Sequence, residues 1–414
     1  MKLNRSFSVL FTLYFIVFLD ALCVGIALPV MSFLFLGEAT RFAFLSLDLR
    51  YFLLGAVVAL APLAQFFGAP FFGALSDHIG RKKVFIISLL AGILGYIIFA
   101  IGVLYLNLSL IVLGRILDGF AGGNYSAALA ALSDLNQKKT QAKNFSRIAI
   151  AFGAGIVVGP IIGSTLADPQ LFPVFNDATP FFFAAFLLFV NLLLVLFFFK
   201  ETVRKRAKTP LTAFTGIRNL VNAFKLSYTR SLFLVVFLFS FANLLFMYFF
   251  QATLITLFHL TLSSVGHLLI YYVACLVVTQ LFITPFLSRK FSSSFLLRVT
   301  LPSLAVSLLL FSLTSLSFLF FVLLFCIAVL QGVTYVSLLL FISGSSSKES
   351  RGEIFGINQS VESIANILSL LFAGLLAARH LLLPLWVASL LIILGWIISF
   401  FYLKHLSKNV FREV

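Results

Sequence analysis

Long apolar runs recur along the whole sequence, and they limit what the chain can fold into more than any other feature. Charged or turn-forming residues separate about twelve such runs. A helix needs about 20 apolar residues to cross the hydrocarbon core of a bilayer, so each run has the length of a membrane span. The predicted spans lie near residues 7–35, 52–74, 84–105, 108–133, 145–167, 180–199, 231–257, 265–288, 294–314, 317–342, 353–377 and 382–404. The pattern predicts an all-α membrane protein with about 12 transmembrane helices.

The composition supports lipid as the solvent for most of the chain. Hydrophobic residues make up 62% of the 414 residues, and charged residues make up only 10%. Soluble globular chains average about 45–50% apolar and about 25% charged residues. So little polar surface cannot cover so apolar an interior in water.

The basic residues are distributed unevenly among the loops. The chain has 29 Lys and Arg against 13 Asp and Glu, a formal net charge of +16. Most basic residues lie in the termini and in alternate loops, whereas the other loops carry only Arg41, Arg50 and Arg379. Because cytoplasmic loops are enriched in Lys and Arg, we place both termini and the basic loops in the cytoplasm. The charge excess then reflects topology and attraction to anionic lipids, and it does not indicate a nucleic-acid partner.

A basic segment divides the chain into two halves. Residues 1–200 hold six predicted spans, residues 201–230 hold none, and residues 231–414 hold six more with a short cytoplasmic tail. The middle segment is predicted to be a cytoplasmic linker, which could include an interfacial amphipathic helix. Transporters are commonly built from two related halves with the substrate site between them. Six spans on each side of the basic segment therefore favour two six-helix bundles.

The loop between the second and third spans contains the strongest local motif, GALSDHIGRKK at residues 73–83. Gly73 and Gly80 permit a tight turn and close helix approach. Asp77 at a membrane boundary needs a partner, so an arginine or a helix N-terminus is expected beside it. The alternative is an ordinary basic loop that contains one acid.

Ionisable residues inside the spans are functional candidates because charge within a membrane is costly. Arg115 and Asp118 in the fourth span lie three residues apart on one helix face, and they are expected to pair with each other or with a helix across a cavity. The alternative is a buried pair that only fixes helix packing. Asp20 in the first span and Glu362 in the eleventh complete this set.

Small residues recur in the fifth span. Gly155, Gly159 and Gly163 are spaced by four residues, which allows another helix to pack closely. Pro160 removes one backbone hydrogen bond and bends the helix. From this pattern alone, ordinary close helix packing is the preferred explanation.

Two of these motifs resemble signatures of the major facilitator superfamily. The loop at residues 73–83 is similar to G-x-L-[SA]-D-x-x-G-R-[RK], with His78 in place of a basic residue. The run from Arg115 to Gly122 resembles the helix-4 motif R-x-x-x-G-x-x-G, whose arginine is linked to proton coupling. Asp118 stands where many relatives have a neutral residue.

The fifth span resembles the antiporter motif of the drug–proton antiporter branch, the tetracycline and multidrug exporters. Two of that motif's glycines are Ser146 and Ser164 in this chain. The resemblance implies a major facilitator fold and a secondary transporter that moves a small organic molecule by alternating access. It favours proton-coupled antiport, that is efflux. Proton-coupled uptake of a metabolite, amino acid, sugar or siderophore is the alternative.

The resemblance also implies roles for particular residues. It implies a cytoplasmic gate in which Asp77 lies near the N-terminus of the eleventh span. The predicted gate residues are Gly73, Asp77, Gly80, Arg81, Lys82 and Asp134. The predicted cavity is lined by spans 1, 4, 7 and 10 and includes Asn243, Gln251 and Gln331. Together with the ionisable residues within the spans, the predicted proton-coupling and cavity set is Asp20, Arg115, Asp118, Glu362, Asn243, Gln251 and Gln331.

Other functional classes lack support in the sequence. We find no H-E-x-x-H, no G-x-S-x-G and no phosphate-binding loop, so neither an enzyme nor direct ATP drive is expected. Cys23, Cys275 and Cys326 are isolated in apolar segments and indicate neither a metal site nor a disulfide. His259 and His267 are interpreted as interfacial polar groups. We expect no cofactor. The expected partners are a small-molecule substrate, protons and the lipid bilayer. We expect a monomer in the cytoplasmic (inner) membrane of a bacterium.

Overall fold

The structure of the chain is a computed structural model. It describes residues 2–36, 42, 44–135, 140–168, 171–203, 221, 227–256, 262–314, 318–344, 351–380 and 382–410. Within these ranges the backbone is largely helical and forms no strand, so the predicted all-α class is confirmed. Most of the predicted linker 201–230 and the residue His259 lie outside the described residues.

Fourteen α-helices follow one another along the described chain, with one π-helical turn between two of them. The helices of the first half are α1 Lys2–Leu36, α2 Leu47–Ile79, α3 Arg81–Leu104, α4 Leu108–Ala121, α5 Asn124–Leu135, α6 Gln141–Leu166 and α7 Thr179–Phe198. Those of the second half are α8 Ser227–Thr256, α9 Leu262–Val278, the π-helical turn Thr279–Ile283, α10 Thr284–Lys290, α11 Ser293–Ser312, α12 Phe318–Gly344, α13 Arg351–Arg379 and α14 Leu383–Val410.

Twelve spans result when α4 is counted with α5, and α9 with the π-helical turn and α10. Among the described residues, ten stretches are long and apolar enough to cross a membrane. The two further spans are the α4–α5 pair, whose helices are short, and α13, whose first half is polar. The chain is an integral multi-pass membrane protein.

The fourth span is broken, whereas the sequence predicted one continuous helix near residues 108–133. The α4 helix ends where the Gly122 amide donates to the Asp118 carbonyl at 3.0 Å, and α5 starts at Asn124. Glycine costs a helix interior about 1 kcal/mol relative to alanine, and two adjacent glycines stand here. The α2 helix also lies close, because a side chain at Gly123 would come within 2.7 Å of the Gly68 backbone. The break therefore has both a local and a packing cause.

The described residues form two compact units. Unit 1 comprises residues 1–135, 148–219 and 348–360, and unit 2 comprises residues 136–147, 220–347 and 361–414. In unit 1, α3 packs against α4 and α7, and α1 packs against α2 and α7. In unit 2, α14 packs against α8 and α11, and α12 packs against α9 and α11. The first turns of α13 thus belong to unit 1, although α13 follows α12 in the chain.

Two prolines within helices leave carbonyl groups that side chains of other helices satisfy. Pro70 has no amide to donate to the Phe66 carbonyl, which accepts from the Ser360 hydroxyl at 2.7 Å. In unit 2, Pro302 likewise frees the Arg298 carbonyl, which accepts from the indole of Trp396 at 3.1 Å. Such substitute bonds let prolines persist in membrane helices.

Large apolar side chains are exposed on both units. Phe197 of α7 is 74% exposed and Ile161 of α6 is 65% exposed, and Phe282 in the π-helical turn of unit 2 is 67% exposed. Many more lie along the same helices. Apolar surface on this scale is not stable in water, so lipid is the medium that it faces.

Candidate functional site

Asp77 at the end of α2 interacts with one arginine and with two backbone amides. Its Oδ1 lies 2.7 Å from the Arg81 guanidinium. The amide of Gly352 donates to Oδ1 at 3.0 Å, and the amide of Glu353 donates to Oδ2 at 2.8 Å. These amides open α13, where the helix dipole favours a negative charge. Asp77 therefore holds the start of α13 against α2 within unit 1.

Arg81 connects Asp77 to a second acid. Its Nε donates to Asp134 at 3.3 Å, and its Nη1 also donates to the Ser76 hydroxyl. Arg351 donates to the other oxygen of Asp134 at 3.1 Å and to the Ser133 carbonyl. Arg81 is fully buried. A buried charge is tolerated only when it is paired, so these groups depend on one another.

Glu201 caps the start of α3 and thereby fixes Arg81. Its carboxylate accepts from the amides of Arg81 at 3.0 Å and Lys82 at 3.2 Å. Gly80 precedes them with a φ of 104°, and an added Cβ would collide with the Glu201 carboxylate. The Lys82 ammonium donates to the Leu196 carbonyl at 2.7 Å. Glu201 was not among the predicted gate residues, although an acid directly after a long apolar run is visible in the sequence.

A seam of small residues packs the first turns of α13 along α2. The backbones of Gly352 and Gly73 touch, and an added Cβ on Gly356 would lie 2.6 Å from the Ala69 carbonyl. Ser360, one turn further, bonds the carbonyl that Pro70 leaves free. Positions 352, 356 and 360 recur every four residues, so one face of α13 contacts α2.

The Arg115 and Asp118 side chains pair with each other, as one of the two predicted arrangements has it. Their Nη1 and Oδ2 atoms are 2.7 Å apart, and the side chains are 5% and 15% exposed. Tyr96 of α3 faces Asp118. Within the described part of the chain, the Arg115 Nε has no hydrogen-bond partner.

Asp20 lies in α1 and is held by two amide side chains. Asn124 donates to its Oδ2 at 2.7 Å, and Asn191 donates to its Oδ1 at 3.1 Å. Asn191 is fully buried in α7, and Asn124 is the first residue of α5. Asp118 lies near enough for its charge to act on Asp20. The two asparagines were not predicted; isolated amides within apolar spans are the signal that points to them.

The glycines of α6 pack against α1, the helix that carries Asp20. An added Cβ on Gly155 would lie 2.6 Å from the Phe18 carbonyl, and one on Gly159 would lie 2.6 Å from the Cα of Gly25. One on Gly163 would collide with the Ile26 carbonyl. Pro160, between the last two, is half-buried. The predicted glycine stripe is therefore an α1–α6 contact.

The other predicted cavity residues belong to unit 2. Gln331 is buried in α12 and accepts a hydrogen bond from the Tyr272 hydroxyl. Its neighbour Gly332 accepts from the Gln280 amide of the π-helical turn at 3.2 Å. Asn243 and Glu362 are half-buried. The side chains of Gln251 and His267 lie outside the described residues.

These features define a polytopic membrane protein in which Arg115 pairs with Asp118 inside the apolar spans and Asp20 is held by two neutral amides. The sequence profile of the Major Facilitator Superfamily matches residues 10–369 and 232–412. The chain belongs to this superfamily. Proteins of this superfamily are membrane transporters and not enzymes.

Several relatives of the chain are drug-resistance proteins. The class H tetracycline resistance protein of Pasteurella multocida is 32% identical over 208 residues, which are 50% of this chain and 47% of the relative. The quinolone resistance protein NorA of Staphylococcus aureus is 30% identical over 176 residues, 42% of this chain and 41% of that protein. The chain thus aligns with about half the length of these relatives.

Solved structures share the fold over nearly the whole chain. The human organic anion transporter MFSD10 (TETRAN) superposes with a TM-score of 0.79 at 20% identity and covers 95% of this chain and 99% of its own. The proton:xylose symporter XylE superposes with a TM-score of 0.75 at 15% identity, over 97% of both chains. At these identities the likeness establishes the major facilitator fold and nothing further.

Proposed function

We propose that the chain exports a small organic molecule by proton-coupled antiport. The observation that carries the proposal is the setting of Asp20, a carboxylate within an apolar span whose hydrogen bonds come from the neutral amides of Asn124 and Asn191. A carboxylate without a fixed cation can exchange a proton during the transport cycle without leaving a buried cation unpaired.

The gate is the second part of the proposal. The docking of residues 351–360 on α2 rests on Asp77, Arg81 and Asp134, and it would be one of two alternating states of the cytoplasmic side. Release of this segment would break the Asp77 and Asp134 contacts together. A ligand changes such a two-state equilibrium only by its different affinity for the two states.

Export is favoured over uptake by the relatives. Both are named for resistance, to tetracycline in one case and to quinolones in the other. The glycine stripe of α6 is the contact on which the resemblance to antiporters rests. Ser164, one of two departures from that motif, is exposed and bonds the Ile161 carbonyl of its own helix at 3.1 Å. It does not disturb the α1–α6 contact.

We place the chain in the cytoplasmic membrane of a bacterium, as a monomer with both termini inside. The basic residues of alternate loops support this orientation. We propose the two six-helix bundles at residues 1–200 and 231–414 with the linker at 201–230.

The direction of transport can be tested in bacteria that express the chain. Cells with the wild-type protein should accumulate less tetracycline or fluoroquinolone than cells with Asp20→Asn, and a protonophore should abolish the difference. Asp168→Asn, in the loop after α6, is the control and should export like wild type. Higher accumulation in cells with the wild-type protein would indicate uptake instead of export. If cells with and without the wild-type protein accumulate a compound equally, that compound is not the cargo.

A further inference from the structure

The break in the fourth span is closed by a side chain from α13. Gln359 accepts from the Ser126 amide at 3.0 Å through its Oε1 and donates to the Gly122 carbonyl at 3.0 Å through its Nε2. Both backbone groups lie where the regular helix is interrupted between α4 and α5. An unpaired backbone group inside a membrane protein is costly, and this side chain replaces the bond that a continuous helix would make between these two groups.

The residue between these bonded groups is the one that holds Asp20. Asn124 stands between Gly122 and Ser126, and its amide donates to the Asp20 carboxylate at 2.7 Å. It is the first residue of α5, so its direction depends on how that helix begins. Gln359 therefore fixes the backbone on both sides of the Asn124 side chain.

Gln359 is also part of the segment that docks at the gate. It precedes Ser360, which bonds the Phe66 carbonyl, and it follows Gly352, whose amide donates to Asp77. Gly352, Gln359 and Ser360 all lie in residues 348–360 of unit 1. A change that lifts this segment off α2 takes Gln359 away from the break in the fourth span.

A second glutamine makes such a change tolerable. Gln65 of α2 donates to the same Gly122 carbonyl at 3.2 Å. If Gln359 leaves, this carbonyl keeps a partner, whereas the Ser126 amide loses the bond that Gln359 provides. The start of α5, where Asn124 lies, is thus the part of the break that responds to docking.

We infer that Gln359 is a positioning residue that couples the docking of residues 351–360 to the hydrogen bonding of Asp20 through the broken fourth span. The inference rests on the proposed function only in taking Asp20 as the proton-exchanging group. By linkage, the coupling is reciprocal: a change at Asp20 that weakens its bond to Asn124 also weakens docking. One side chain then connects the gate with the acid inside the membrane.

The test follows the reactivity of Asp20 in purified protein without any transport substrate. Dicyclohexylcarbodiimide modifies carboxyl groups in apolar surroundings, and peptide mapping by mass spectrometry reports the rate at Asp20. Gln359→Met keeps the length of the side chain but removes both hydrogen bonds. We expect it to speed modification of Asp20 about fivefold, the change that one ordinary hydrogen bond corresponds to. The matched control Gln65→Met should react at the wild-type rate.

Double variants distinguish coupling from general loosening. Gln359→Met added to Asn124→Leu should give no further increase over Asn124→Leu, because both act on one bond. Asp77→Asn, which disturbs docking at the opposite end of the segment, should also speed the reaction. Added to Gln359→Met, it should give no further increase. If Gln359→Met does not fold, Asp77→Asn alone carries the test. An Asp20 rate unchanged in Gln359→Met or in Asp77→Asn, or effects that add, would overturn the inference, whatever the outcome of the transport assays.

Discussion

The buried acids of unit 1 differ in the groups that surround them. Asp77 and Asp118 each lie 2.7 Å from an arginine, whereas Asp20 accepts hydrogen bonds from two neutral amides. Removing the charge of Asp118 leaves Arg115 buried without its partner, and removing that of Asp77 leaves the buried Arg81 with Asp134 alone, and both changes are destabilising. At Asp20 no such penalty arises. This difference supports the proposal that Asp20 exchanges protons, whereas the other two acids form ion pairs.

The Arg115–Asp118 pair gives a prediction about stability. Arg115→Gln leaves the Asp118 charge buried without its partner, and it should lower the free energy of unfolding by about 3 kcal/mol. The double variant Arg115→Gln/Asp118→Asn removes both charges and should recover most of this loss. Unfolding in increasing dodecyl sulfate measures both. Equal losses in the single and double variants would show that the ion pair does not explain the effect.

The sequence predicted some of these residues and missed others, for a physical reason. Asp77, Arg81 and Asp134 stand in a recognisable pattern, and the cost of burying a charge forces them to find partners. Asn124, Asn191 and Gln359 are neutral amides, which many apolar helices tolerate singly. Their importance depends on which helices meet, and no spacing along the chain encodes that.

Close helix packing in this chain rests on glycine and on breaks in regular structure. Runs of apolar residues predicted where the helices lie, but not the break at Gly122–Gly123 or the π-helical turn at Thr279–Ile283. Isolated glycines within an apolar run are compatible with a continuous helix. The neighbouring backbone of α2 and the side chain of Gln359 make the broken form favourable here.

The seam between α2 and α13 gives a prediction about docking. An added methyl group in Gly356→Ala would lie 2.6 Å from the Ala69 carbonyl, so docked residues 351–360 must shift. Overpacking costs about 1–3 kcal/mol, which corresponds to a change of about 5-fold to 150-fold in the docking equilibrium. Hydrogen exchange of the Gly352 and Glu353 amides, which donate to Asp77, should accelerate accordingly.

Gly55→Ala is the matched control for this measurement. Gly55 lies in α2, the helix that the seam contacts, and no atom of the described residues stands within 4 Å of its added Cβ. Exchange in residues 351–360 should then equal that of the wild type. Unchanged exchange in Gly356→Ala would contradict the seam as a support of docking.

At the level of the whole molecule, the chain is a member of the Major Facilitator Superfamily, and its described residues form twelve spans in two compact units. Composition and the length of the apolar runs sufficed to predict this class, because lipid requires long apolar helices. Only the family resemblance indicated that residues 348–360 pack in unit 1, because it placed Asp77 near the start of the eleventh span. Nothing in the composition of the segment itself indicates it.

The most direct test of proton-coupled export measures protons while a drug gradient drives them. Proteoliposomes are loaded with tetracycline or a fluoroquinolone and a pH-sensitive dye, then diluted into drug-free buffer at equal pH. As the drug leaves through the wild-type protein, the interior should become acidic, and liposomes with Asp20→Asn should show no pH change. Antiport predicts this sign in either orientation of the protein. An interior that becomes alkaline, or drug exit without any proton movement, would contradict the account.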